Sequence, residues 1–172
     1  MNSKHRRIPG IPLLLCALLC LSSAWGAEPP DSGLKDTEAL HSLTNAKGVF
    51  MLDVKDPGRM GHVLKVIEET RAGIAKQNVK PELIVVVIGP SVAFLTKDRH
   101  GISHTDQRAV SEVQGAIGKL KKAGVRIEVC GIALRGMDVA PNALIPEVTA
   151  VGNGYISALG YQTQGYQLVP VY

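Results

Sequence analysis

Cysteine is scarce in this sequence, and its scarcity narrows what the chain can do. Of three cysteines in 172 residues, Cys16 and Cys20 lie in an apolar segment near the amino terminus, and Cys130 is the third. If that segment is removed, one thiol remains and an intrachain disulfide framework is excluded. Cys130 is then buried packing, a bridge to another chain, or a reactive group.

The sequence also lacks the motifs of several common enzyme classes. The turn at residues 58–61, after the first predicted strand, has neither the GxGxxG nor the Walker pattern of nucleotide-binding loops. Ser91 and Ser103 lack the GxSxG surroundings of a hydrolase nucleophile. We therefore predict no cofactor and no serine hydrolase activity.

The amino terminus has the order of properties of a signal peptide. Basic residues at 4–7 precede an apolar run at 11–21, and Ala24 and Gly26 then place small side chains where a signal peptidase reads. The run is too short to span a bilayer comfortably. We expect residues 1–26 to be cleaved and the mature protein to be periplasmic, without a membrane span. A lipoprotein anchor is disfavoured, because leucine rather than a small residue precedes each cysteine of this segment.

Little net charge remains after this cleavage. Three of the nineteen Lys and Arg residues lie in the first seven positions, so sixteen remain against fifteen Asp and Glu residues. A nearly neutral chain gives no argument for nucleic-acid binding. The densest basic group, Lys119, Lys121 and Lys122, fits a solvated helix end better than a phosphate site.

The rest of the chain predicts one α/β domain. Residues 27–46 are polar and rich in proline, which indicates a surface arm. From residue 47 onward, strand and helix signals alternate, and the β-branched run at 83–88 is typical of a parallel strand covered on both faces. We expect residues 47–172 to form a three-layer sandwich, Rossmann-like or flavodoxin-like, with a mostly parallel five-stranded sheet flanked by helices. The predicted strands are 49–54, 83–88, 125–129, 147–151 and 166–171, and the predicted helical segments are 60–77, 91–96, 108–122 and 155–163.

Cys130 follows the third predicted strand, at the edge where open α/β sheets place their working residues. Gly131 would let another backbone approach closely, and nearby amides together with Arg135 could hold negative charge on the sulfur. A thiolate stabilised in this way attacks persulfide or disulfide sulfur. Residues 153–155 also read as a helix cap, whose amides could face a small anion.

Three segments carry a family resemblance: VRIEVCGIALRGM at 125–137, LIP at 144–146 and QGYQLVP at 164–170. They resemble the DsrE/DsrF-like family, and most closely its small exported members, over residues 47–172. The resemblance implies a parallel five-stranded sheet between helices and assembly into homotrimers or higher oligomers. In the sulfur-relay members, the cysteine that corresponds to Cys130 accepts a persulfide sulfur and passes it to a partner protein. This chain departs from those members in its export signal and in the spacing from Cys130 to Arg135.

A polar loop at residues 98–106 forms a second candidate site. Its two histidines, His100 and His104, lie among carboxylates that could help them chelate zinc. No predicted helix holds the histidines on one face, so we predict no metal site, and elemental analysis of the purified protein checks this. Because the loop follows the carboxyl end of a strand, we expect both histidines to border the Cys130 pocket and to bind substrate together with Gly131.

Two functions remain open from the sequence. The first is a periplasmic sulfur carrier or sulfurtransferase-like protein, with Cys130 and Arg135 as catalytic residues and a sulfur donor or acceptor protein as its partner. The second is a non-catalytic oligomeric binding module of the same fold, in which Cys130 is structural. We expect a homo-oligomer, a trimer or hexamer, in either case, and the reactivity of the thiol separates the two.

Overall fold

The computed structural model describes residues 33–99 and 101–171. The chain divides into two units, Met1–Leu34 and Lys35–Tyr172, and the fold is that of the second. The predicted signal peptide, residues 1–26, lies outside the described residues, as do residues 27–32 of the predicted arm and His100.

Strands and helices alternate along the second unit, as the sequence predicts. The elements are β1 (Asn45–Leu52), α1 (Pro57–Lys76), β2 (Lys80–Val87), a 3₁₀ helix (Gly89–Leu95), α2 (Gln107–Lys122), β3 (Arg126–Cys130), α3 (Gly131–Gly136), a second 3₁₀ turn (Pro141–Ala143), β4 (Thr149–Val151), α4 (Gly154–Thr163) and β5 (Gln167–Val169).

The five strands form one parallel sheet in the order β4-β3-β2-β1-β5. The longest pairing joins β1 to β2 from Asn45↔Lys80 to Leu52↔Val87. The predicted α/β fold with a five-stranded sheet flanked by helices is confirmed, and every strand pairing in the sheet is parallel. No helix within residues 33–99 and 101–171 is long and apolar enough to cross a membrane.

Both faces of β2 are buried, which explains its unbroken run of apolar residues. Val85 and Val87 point into the larger core with α1 and α2, whereas Ile84 and Val86 belong to a smaller cluster that also contains Cys130. Alternate side chains of a strand emerge on opposite faces, so one β-branched run supplies both cores. The smaller core fixes the surroundings of the thiol.

The two long helices cover the larger core. Asp56 caps α1 by accepting a 2.6 Å hydrogen bond from the Arg59 amide, and proline stands at the first helical position. The buried residues of both helices recur at helical spacing. They are Pro57, Met60, Leu64 and Ile67 in α1, and Val110, Val113, Ile117 and Leu120 in α2.

One helix is absent from the sequence prediction. Helix α3 begins directly after Cys130 and has six residues, of which Leu134 is buried. Six residues make fewer than two helical turns, so they are too few to show a repeating apolar pattern. A helix this short also gains little stability from intrinsic propensity. Strand β3 also extends to Cys130 itself, where the prediction ended at Val129.

Candidate functional site

Cys130 is a free, buried cysteine at the carboxyl end of β3. It is 2% exposed and packs with the smaller core, which includes Val86 and Ile88 of the neighbouring strand end. In the sheet it pairs with Val151 of β4. The sulfur therefore lies on the α4 side of the sheet, among apolar side chains.

The first residue of α4 holds the sulfur. The Gly154 amide donates a 3.2 Å hydrogen bond to Cys130 Sγ, and Asn153 caps the helix by accepting from the Tyr155 amide at 2.9 Å. A Cβ at position 154 would lie 2.9 Å from Ile88 Cγ2 and 3.1 Å from Cys130 Cβ. Only glycine lets the helix start approach the thiol this closely.

Gly131 makes a second close approach on the other side of the cysteine. A Cβ there would lie 2.7 Å from the Val151 carbonyl oxygen and 3.0 Å from that of Gly152. The contact is with backbone, which cannot move aside as a flexible side chain could. Gly131 therefore lets the chain pass beneath residues 151–152 and start α3. Its role in substrate binding stays a prediction.

Opposing influences act on the Cys130 thiol, and the net pKa lies below its usual value of 9.0. Burial is the largest influence and raises the pKa, because it disfavours the charged thiolate. The amides of Gly154, Ala133 and Ile132 lower the pKa, and with the charge of Arg135 they outweigh burial. Gly154 forms a hydrogen bond with Sγ, whereas the two amides of α3 lack its full geometry and act as dipoles oriented toward the sulfur.

Arg135 makes the smallest contribution to this balance. It lies exposed in the last turn of α3, and its positive charge lowers the pKa of the Cys130 thiol. Exposed charges act through water and are screened by salt, which accounts for the small effect. The structure thus places Cys130, Gly131 and Arg135 within six consecutive residues, at the end of β3 and along α3.

The predicted histidine site is only partly described. His104 is exposed in the turn before α2, and His100 lies outside the described residues. Arg99 fastens this loop to α2 by donating 2.7 Å hydrogen bonds to Ser111 Oγ and Gln114 Oε1. Within residues 33–99 and 101–171, no group of three or more His, Cys, Asp or Glu residues could hold a metal ion. The substrate-binding role of His100 and His104 stays a prediction.

Glu128 is a buried polar residue that the sequence analysis missed. It is 4% exposed and stands two residues before Cys130 on β3, so both side chains emerge on the same face. Its partners are hydroxyl groups of α4, from Ser157 and Tyr161. The sequence offers one indication of this site: Glu128 and Cys130 are two positions apart on a strand and so lie on the same face. Its hydrogen-bond partners are some thirty positions away in the chain, so no local pattern reveals them.

Comparison with known proteins agrees with this architecture. Residues 56–171 match the DsrE/DsrF-like family. Among solved structures, the protein of unknown function MTH1491 from Methanobacterium thermoautotrophicum is 21% identical, with a TM-score of 0.58 over 74% of this chain and 100% of that one. The ychN protein from E. coli is 15% identical, with a TM-score of 0.49 over 73% of this chain and 99% of that one.

At these identities, the likeness to MTH1491 shows the fold alone. A search of curated proteins finds no match. The family match covers more than half of the chain and includes β2, β3 and the cysteine that ends β3. The chain therefore belongs to the DsrE/DsrF-like family, as the sequence predicted.

Proposed function

We propose that this protein is a sulfur carrier in which Cys130 accepts a persulfide sulfur and passes it to a partner. The observation that carries the proposal is the 3.2 Å hydrogen bond from the Gly154 amide to Sγ, at the start of α4. A helix start stabilises negative charge, and the thiolate is the nucleophilic form of cysteine. The lowered pKa of the Cys130 thiol is consistent with this use.

The transfer is redox-neutral and requires no cofactor. The Cys130 thiolate attacks the terminal sulfur of a donor persulfide, so a bond from Sγ to that sulfur forms while the donor's own S–S bond breaks. The bonding pair leaves on the donor, which departs as a thiolate and takes a proton from solvent. An acceptor thiolate then attacks the outer sulfur, and Cys130 regains its thiolate.

The chain's own groups have separate parts in this cycle. The amides of Gly154, Ile132 and Ala133 hold the anionic sulfur, and Arg135 adds positive charge. Since Cys130 is 2% exposed, a donor reaches it only when α3 or the start of α4 moves aside.

A non-catalytic binding module is the second candidate, and the burial of Cys130 favours it. A cysteine this inaccessible can serve as a small apolar packing residue beside Val86 and Ile88. A separate cavity of about 430 Å³ between α1, β1 and β5 has mainly apolar walls, including Phe50, Ile67 and Val169. Such a cavity suits an apolar ligand.

The proposed setting is a periplasmic homo-oligomer. The signal-like order of residues 1–26 supports export. The outer face of α4 supports association, because Tyr155, Ile156 and Leu159 are each more than half exposed and lie on neighbouring turns. The family resemblance favours a trimer or hexamer of this chain.

Sulfur loading tests the carrier against the binding module. The mature protein is incubated with inorganic polysulfide as donor, desalted without reductant, and weighed intact by mass spectrometry. A carrier gains sulfur atoms, and Cys130→Ser gains none. If the native wild type gains no sulfur although the urea-unfolded wild type does, the thiol is sealed in the fold and the binding module is correct.

A further inference from the structure

Glu128 is a buried carboxylate for which the sulfur-transfer cycle has no use. A charged group inside a protein is costly unless it is paired and hydrogen-bonded, so its partners indicate what it does. Tyr161 donates a 2.5 Å hydrogen bond to Oε1, and the Ser157 hydroxyl donates to Oε2. Arg126 lies 3.9 Å from Oε1 and donates a 3.2 Å hydrogen bond to the Tyr161 hydroxyl. Both carboxylate oxygens are thereby engaged.

The two hydroxyl donors belong to the helix that holds the thiol. Ser157 and Tyr161 stand three and seven residues after Gly154 on α4, which places all three on one helix face. Glu128 and Cys130 likewise share one face of β3. Helix α4 therefore meets β3 at two polar contacts: Gly154 on the thiol, and the two hydroxyls on the carboxylate.

The apolar contacts of α4 with the sheet centre on one side chain. Its fully buried residues are Gly154 and Ala158, which have almost no side chain, and Ile156 and Leu159 face outward. The ring of Tyr161 packs, partly buried, against the smaller core and edge-on to Tyr166. Apolar contacts have little directionality, whereas hydrogen bonds need defined distances and angles. The hydrogen bonds of Ser157 and Tyr161 to Glu128 therefore set the register of α4 on β3.

We propose that Glu128 is a positioning residue, which fixes α4 on β3 through Ser157 and Tyr161 and so keeps the Gly154 amide on the sulfur of Cys130. The use of the site rests on the proposed function, but the position of α4 on β3 does not depend on sulfur transfer. Glu128 touches neither the sulfur nor a donor in this role. It acts through the helix.

The charged and titratable groups around the carboxylate fit this role. Burial, and next the hydrogen bond to Glu128, raises the pKa of Tyr161, so its hydroxyl remains a donor at neutral pH. Arg126 on β3 balances the negative charge from the exposed side. Near the thiol, the charged side chain is Arg135 of α3, whose positive charge lowers the pKa of Cys130. If Glu128 loses a hydrogen-bond partner on α4, we therefore expect the hydrogen bond from the Gly154 amide to Cys130 Sγ to weaken.

The test measures the ionisation of Cys130 in variants that loosen this contact. Cys130 is the one cysteine after residue 26, so Cβ-labelled cysteine gives a single NMR signal in the mature protein. Its chemical shift against pH reports the thiol pKa without a reagent having to reach the buried sulfur. Tyr161→Phe and Ser157→Ala each remove one donor to Glu128 and leave its carboxylate in place. Each folded variant should raise the thiol pKa by about half a unit, and the double variant by about one unit.

Thr163→Ala is the matched control. Its hydroxyl is also on α4 but donates to the Leu159 carbonyl at 2.7 Å, within the helix. It should leave the thiol pKa unchanged. An unchanged pKa in folded Tyr161→Phe and Ser157→Ala, or an equal rise in Thr163→Ala, overturns the proposal, and the single variants decide if the double variant does not fold. Sulfur loading is measured in a separate experiment. A wild type that loads no sulfur contradicts the proposed function, whereas the positioning role of Glu128 is decided by these pKa values alone.

Discussion

The amide of Gly154 and the sulfur of Cys130 are joined by a 3.2 Å hydrogen bond that ties the start of α4 to the end of β3. The two residues are 24 positions apart in the chain. Their approach depends on glycine, since a Cβ at 154 would meet Ile88, Val86 and Cys130 within about 3 Å. The ionisation of the thiol is therefore coupled to the position of a helix.

Gly154→Ala should separate the helix from the thiol. The added Cβ would lie 2.9 Å from Ile88 Cγ2, so α4 must shift, at a cost of about 1–3 kcal/mol in the free energy of unfolding. With the amide displaced, the pKa of the Cys130 thiol rises. Denaturant unfolding and the cysteine NMR titration measure the two effects.

Gly160→Ala is the control for this substitution. It lies in the same helix, and nothing stands within 4 Å of its added Cβ. Replacing a helical glycine by alanine in open space stabilises by up to about 1 kcal/mol. A thiol pKa that moves equally in both variants would contradict the assignment to the Gly154 contact.

The stability contributed by Cys130 should depend on pH with a definite sign. The pKa of the thiol is lower in the folded protein than its usual 9.0, so the folded state favours the thiolate. The contribution is absent below the folded pKa, grows as the pH rises toward 9.0 and is complete above it, with a slope of at most about 1.4 kcal/mol per pH unit.

Urea unfolding of wild type and Cys130→Ser across this range, with reductant present, measures that contribution as a difference. Subtraction removes the titration of all the other groups that the two proteins share. The wild-type advantage should increase with pH between the folded pKa and 9.0. A difference that is flat or falls with pH would show that burial, and not the amides, controls the thiol.

Arg135→Ala should raise the pKa of the Cys130 thiol only slightly. Arg135 is exposed and is the weakest of the influences on the sulfur, so we expect a shift of a few tenths of a unit at low salt. The shift should vanish near 1 M salt, where the Debye length falls to about 3 Å. Arg108→Ala, on the exposed face of α2, should have no effect at either salt concentration. A large, salt-insensitive shift would instead indicate direct contact between the guanidinium and the sulfur.

The sequence predicts the strongly periodic elements well and the site only in part. Helix α2 was expected at 108–122 and runs over Gln107–Lys122, because its buried residues keep helical spacing. The cap at residues 153–155 was also identified, with amides that could face a small anion; in the structure the Gly154 amide donates to the Cys130 sulfur and the Tyr155 amide to Asn153. Pattern reading succeeds where the signal lies within one element.

The missed features all depend on contacts between distant parts of the chain. Helix α3 forms where Gly131 fits beneath the backbone at 151–152, which no local pattern reveals. Glu128 reads as a solvent-facing strand residue until α4 places Ser157 and Tyr161 over it. Burial of a charge becomes visible only when its partners are known.

Export of the protein should depend on the apolar run at residues 11–21. We expect the chain recovered from the periplasm to begin at Ala27, which mass spectrometry of the intact protein determines. Leu14→Arg puts a charge into the apolar run and should hold the full-length chain inside the cell. Leu34→Arg, beyond the expected cleavage point, should be processed normally. Wild-type protein retained at full length in the cytoplasm would refute the export prediction.

Assembly should depend on the outer face of α4. Ile156 and Leu159 are 67% and 65% exposed on this short helix, and a carboxylate at either position would be left unpaired in an apolar interface. We expect light scattering to show a trimer or hexamer for the mature wild type and smaller species for Ile156→Glu and Leu159→Glu. Val66→Glu, on an exposed position of α1, is the matched control and should keep the wild-type mass. A wild type that is monomeric at micromolar concentration, or a control that dissociates equally, would show that α4 is not the surface through which copies of this chain associate.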